Sequence, residues 1–113
     1  MSLPHAASGD VINIRPLGGG LAHATSIAFF KTAHLEVMRI VLLAGKALPE
    51  TVIGGEITIQ CLEGEIELAI QQKRALLHAG EMSFVAANQP YTIHATQDAS
   101  ALLTILLHQP RNQ

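Results

Sequence analysis

The feature that most restricts the fold of this chain is the rhythm of its β-type runs. From residue 25 onward, short stretches rich in Ile, Val, Leu, Phe and Thr recur, each closed by a turn signal. They read "TSIAFFKT" (25–32), "HLEVMRIVLLA" (34–44), "ALPETVI" (47–53), "EITIQCL" (56–62), "EIELAI" (65–70), "RALLHA" (74–79), "EMSFVA" (81–86), "YTIHA" (91–95) and "SALLTILLH" (100–108). Gly45, Gly54–Gly55, Gly64, Gly80 and "ANQP" at 87–90 separate them. Short strands at even spacing, with glycine and proline between them, predict an antiparallel sandwich or barrel. A helix over 27–44 is the rival reading, because Ile27, Phe30, His34, Met38 and Leu42 recur at roughly helical spacing. The β-branched content of that stretch and its lack of a capping box favour strands. Upstream, "VINIR" (11–15) is strand-like, and "PLGGGLAHA" (16–24) reads as a loop. Residues 1–10 read as a flexible N-terminus and 11–113 as one β-barrel domain.

Alternation within the runs predicts their faces. Glu65 and Glu67 alternate with Ile66 and Leu68, giving a wet and a dry face. In 35–44 and 101–107 both faces are largely apolar. Such strands are buried twice, once by the core and once from outside. A composition with 49% apolar and only 14% charged residues agrees with extra buried surface. A homodimer is the expected outer cover.

Composition also excludes partners. The seven basic residues are scattered and the net charge is −2, so no electrostatic footprint for nucleic acid exists. The adjacent pair Lys73–Arg74 reads as a turn. Apolar runs such as "IVLLA" (40–44) are too short to span a bilayer, so no membrane partner is expected. "MSLPHAASGD" lacks the charged and apolar regions of a signal peptide, and Cys61 is the single cysteine. Both point to a reducing, cytoplasmic setting.

The glycine spacing carries a resemblance. Gly45 is followed by Thr51, Ile53, Ile57 and Gly64, then by Gly80, Ala86, Tyr91 and Ala95. Through "LLAGKALPE", "QCLEGEIEL", "HAGEMSFVA" and "QPYTIHA", residues 40–108 resemble the two motifs of the cupin family. The resemblance implies an all-β, RmlC-like jelly roll: a cupin-type double-stranded β-helix. It also places the family's metal ligands at positions 51, 53, 57 and 91, where this chain has Thr51, Ile53, Ile57 and Tyr91. Two alkyl groups, a neutral hydroxyl and a phenol of pKa near 10 form a poor ligand set. No metal and no other cofactor is therefore expected.

In that register Tyr91, Thr51, Ile53, Ile57, Ile59 and Cys61 face the barrel interior, and Phe84 joins them. This lining suits either a small apolar or weakly polar ligand or a barrel packed solid. Cys61 reads as a buried hydrophobe rather than a nucleophile. Glu63, Glu65 and Glu67 read as a solvated rim, with Glu50 and Glu56 at the mouth. The expected function is a metal-independent small-molecule binding or sensing domain. The alternative is a metal-dependent cupin enzyme, of dioxygenase or isomerase type, with non-standard ligands drawn from His23, His34, His94 or Glu50.

Overall fold

In the computed structural model, which describes residues 5–107, the chain is organised around β8 (Ala99–Leu106). Its neighbours are β2 (Leu35–Leu42) and β3 (Ile57–Glu63), both antiparallel to it. β1 (Ile27–Lys31) extends the sheet beyond β2, and β6 (Met82–Val85) extends it beyond β3, giving the order β1-β2-β8-β3-β6. A second sheet has the order β5-β4-β7, built from β4 (Glu65–Ile70), β5 (Lys73–His78) and β7 (Thr92–Ala95). Residues 45–51 run along the free side of β7. Gly45, Leu48 and Thr51 donate backbone bonds to Ala95, Ile93 and Tyr91 there. Bridge pairing survives only at Ala47 and Thr51, and the expected strand over 47–53 stays interrupted, because Pro49 has no N–H to offer. The rival helix over 27–44 does not form. Among the described residues no helix is long and apolar enough to cross a membrane.

Period-two alternation places the core between the sheets. Ile40, Leu103, Ile57 and Ile59 enter it from the large sheet, and Ile66, Leu68, Leu77 and Ile93 from the small one. Glu65 and Glu67 stay on the opposite face of β4 from the buried Ile66 and Leu68, as the alternation requires.

Two upstream expectations need correction. "VINIR" forms no strand, and 18–23 is a short 3-10 helix rather than a loop. The reason is tertiary. Residues 13–21 lie across the outer face of the large sheet, held by side chains instead of a backbone ladder. Arg39, outward on β2 yet only 7% exposed, donates from Nη2 to the carbonyls of Asn13 (3.0 Å) and Arg15 (3.3 Å). A bulge in β1 between Ala28 and Phe30 brings the Phe29 ring to 5.4 Å from the Arg39 guanidinium carbon. Earlier in the chain, the Ala6 N–H donates to the Phe29 carbonyl.

Glu63 supplies the second anchor. A register shift between Cys61 and Glu63 sets Glu63 beside Ser100 on the outer face. Its carboxylate accepts from Ser100 Oγ (2.5 Å), Leu17 N (2.9 Å) and Gly18 N (3.1 Å). Glu63 is thus a structural clamp, contrary to its reading as part of a solvated rim. Burial pushes its pKa up, but the bonds from Ser100, Leu17 and Gly18 and the Arg39 charge outweigh this, and it lies below the usual carboxylate value. A lowered folded pKa stabilises the fold above the unfolded value near 4.5 and loses that contribution as pH falls through the folded one. Glu63→Gln is expected to cost about 1–3 kcal/mol in urea unfolding at neutral pH and to reduce the acid sensitivity of the fold. Equal acid sensitivity in wild type and variant would refute the clamp.

Candidate functional site

Four of the positions assigned to the barrel interior are deeply buried. Ile57, Ile59, Cys61 and Tyr91 all belong to the core, with Tyr91 only 3% exposed. Ile53 packs against the same cluster. Thr51 lies opposite Tyr91, and the two exchange backbone bonds of 2.9 and 3.0 Å. The Thr51 hydroxyl turns back to the Pro49 carbonyl at 2.8 Å. Phe84 breaks the pattern. It is 63% exposed and stands opposite Thr58 on the outer face of the large sheet, while its neighbour Val85 points inward opposite Ile57. Phe84 shares the exposed side of the strand with Met82, while Ser83 and Val85 turn inward, so the assignment is corrected: Phe84 does not line the interior.

The chemistry of these groups is muted. Burial pushes the Tyr91 phenol up from its ordinary value, away from the phenolate a metal would bind. Burial likewise raises the Cys61 thiol, whose Sγ reaches only the carbonyls of Glu63 (3.5 Å) and Gly64 (3.7 Å). Such a thiol is a poor nucleophile. The donor set at 51, 53, 57 and 91 therefore does not fit a metal ion. His23, His34, His94 and Glu50 are exposed, and among the described residues no three His, Cys, Asp or Glu side chains are placed to share an ion. His94 points outward, consistent with the inward Ile93 and Ala95 of β7 and with the buried Tyr91 just before it. His108 lies outside the described residues.

Among the described residues one histidine side chain is engaged. His78, at the end of β5, sits between two carboxylates: Nε2 is 2.6 Å from Glu65 and Nδ1 is 3.0 Å from Glu81. Glu65 also accepts from Thr96 Oγ1 at 2.6 Å, and Glu81 from the His78 backbone N–H at 2.8 Å. The Glu81 hydrogen bond, aided by Glu65, raises the His78 pKa; both glutamates are lowered. Because the folded value is raised, this contribution is complete below the unfolded value near 6.5 and fades as pH rises through the folded one. An NMR titration of the ring protons is expected to give His78 a pKa above that of an unfolded-chain histidine, and His78→Gln to abolish that pH-dependent part of stability. A His78 midpoint at or below the unfolded value would contradict the pairing.

Two of the concavities that lie away from Tyr91 adjoin β6. A cavity of about 280 Å³ opens between the β4–β5 hairpin and β6, lined by Leu68, Ile70, Lys73, Ala75, Ser83, Phe84, Ala86 and Gln89. Lys73 and Arg74 open β5 rather than forming the turn, which falls at Gln71–Gln72, with Gln71 at φ 54°. A groove of about 250 Å³ crosses the outer face of the large sheet, lined by Leu35, Glu56, Thr58, Phe84, Thr104 and Leu106 among others. Sequence reasoning missed the cavity because its lining comes from two unpaired sheet edges. The alternation of "EMSFVA" did carry a signal, since a buried Val85 puts Ser83 on the same side.

Comparison with known proteins gives fold alone. No family model matches the chain. No curated protein sequence matches it either. Solved structures do. A cupin superfamily protein from Desulfitobacterium hafniense superposes with a TM-score of 0.75 at 16% identity, over 91% of this chain and 100% of the other. A conserved protein of unknown function from Streptococcus pyogenes gives 0.74 at 15% identity, over 97% of each chain. An RmlC-like cupin from Desulfovibrio desulfuricans gives 0.66 at 24% identity, over 73% of this chain and 80% of the other. With two antiparallel sheets in jelly-roll order and these neighbours, the chain is a small domain of the cupin fold.

Proposed function

We propose that this chain is a metal-independent small-molecule binding or sensing module that works as a homodimer in the cytoplasm. The observation that carries the reading is the side-chain set at 51, 53, 57 and 91. Two isoleucines, a threonine whose hydroxyl is already bonded and a buried neutral phenol leave a cation nothing to grip. Fold does not decide function, so the site must. The cavity beside the β4–β5 hairpin supports ligand binding, since it is concave and mostly apolar with a few polar tips. The end of the large sheet's outer face that the arm leaves exposed, at Phe84, Met82 and Leu106, supports self-association, and the single buried thiol of Cys61 suits a reducing compartment.

Elemental analysis combined with a thermal-shift screen of small acids, amides, sugars and phenols tests the reading. The expected result is no stoichiometric transition metal, and a rise in melting temperature on the order of 10 °C at a ligand concentration about 100 times Kd. One equivalent of tightly held transition metal would overturn the reading in favour of an enzyme with non-standard ligands.

A further inference from the structure

The cavity at the β4–β5 hairpin lies where the two sheets fail to close on each other. Among the described residues β5 pairs only with β4, and β6 only with β3, so the edges of both strands facing the gap are free there. Leu68, Ile70, Ala75 and Ala86 give the cavity apolar walls, and the floor reaches the core at Leu68. Three polar side chains line it: the Lys73 ammonium, the Ser83 hydroxyl and the Gln89 amide. Among the described residues none of these three makes a side-chain hydrogen bond or ion pair. The neighbouring cation is spoken for, because Arg74 bonds Glu67 at 2.9 Å. Among the described residues no carboxylate lines the cavity.

We infer that this gap is a binding site for a small monocarboxylic acid with a compact apolar body, its carboxylate on Lys73 and its body against Leu68, Ile70 and Phe84. The inference rests on the small-molecule reading above and names the class of ligand and the place it binds. The physical argument is one of matching. An unpaired cation at the rim of an apolar pocket attracts a single negative charge, and the partly enclosed setting strengthens that attraction relative to open water. Ser83 and Gln89 are then free to bond the second carboxylate oxygen. A second charge on the ligand would have no counter-cation, which disfavours dicarboxylates and phosphates. The volume of about 280 Å³ admits a single aromatic ring or a branched aliphatic chain and excludes larger bodies.

The test uses the whole protein and matched pairs: isobutyrate with isobutyramide, benzoate with benzamide, phenylacetate with phenylacetamide. Two-dimensional amide NMR reads the position and Kd of each. At least one acid is expected to shift the amides of Lys73, Ser83, Phe84 and Gln89, and to bind about tenfold or more tightly than its amide, the typical worth of one charge-assisted hydrogen bond. Lys73→Gln is expected to remove that preference and leave the spectrum otherwise folded, and Lys73→Arg to keep it. Acids and amides binding equally at these residues would overturn the acid class while leaving the binding module in place. Binding that maps elsewhere, to the arm or around Tyr91, would overturn the site. No shift from any of the six compounds, with a hit from sugars or phenols in the thermal screen, would sink the inference alone; no hit from any class would sink both readings.

Discussion

Replacing Gly64 with alanine should cost about 3–5 kcal/mol, a large part of the 5–15 kcal/mol that holds a domain of this kind together. Gly64 joins β3 to β4 and so connects the two sheets. Its φ is +77°, a left-handed conformation that costs an L-residue roughly 1–2 kcal/mol. A Cβ there would also lie 2.1 Å from the Asp98 carbonyl oxygen and 2.8 Å from Ala99 Cα. Both are backbone atoms, at the end of the turn and the start of β8, so neither can swing aside. Gly80 is the control. Its φ is +90°, but a Cβ would meet nothing within 4 Å. Gly80→Ala should cost only the conformational share, about 1–2 kcal/mol. Urea unfolding of both variants separates the two contributions. Equal losses would show that the overlap at Gly64 relaxes and that the β3–β4 junction is not rigidly set.

The second large effect concerns the outer face of the large sheet. The arm of residues 13–21 covers one end, over Arg39 and Ser100. The other end shows Phe84 at 63%, Met82 at 59% and Leu106 at 47% exposure. Thr58 and Thr104 lie between them, and Leu35 lies opposite Leu106. Aromatic and aliphatic side chains on a flat sheet, with no charge among them except Glu56 at the margin, suit the centre of an interface. If two copies meet through this face, Phe84→Glu or Leu106→Glu would bury two like charges about the dimer axis. The expected effect is at least about 100-fold weaker association, from the ~3 kcal/mol that an unpaired buried charge costs. Light scattering across a dilution series should find wild type dimeric and both variants monomeric, each with an unchanged circular dichroism spectrum. A wild-type monomer at high micromolar concentration, or dimers that survive both substitutions, would remove this face from consideration.

Much of the architecture could be read from residue order. Strand β4 spans 65–70, where the Glu–Ile–Glu–Leu alternation put it, and the ends of the remaining strands fall within about two residues of the expected runs. Local patterning determines such strands, since each apolar residue on one face must find the same core. Phe84 shows where that reasoning slips. A strand of four residues, Met82–Val85, has too few alternations to set its parity, and an error of one residue turns a lining side chain into a surface one. The N-terminal arm shows a different limit. "VINIR" has the composition of a strand, but a strand needs a partner, and its carbonyls went instead to the Arg39 guanidinium.

The same division runs through the candidate site. That positions 51, 53, 57 and 91 carry no good metal donors was written in the residue types, because ligand chemistry belongs to the side chain and not to its surroundings. That Glu63 clamps the arm, and that Lys73 faces a cavity between two free edges, came only from the tertiary structure. These are relations between residues far apart in the chain, such as Glu63 with Leu17 or Lys73 with Gln89. A one-dimensional pattern records which face a residue prefers. It does not record which distant surface arrives to meet it.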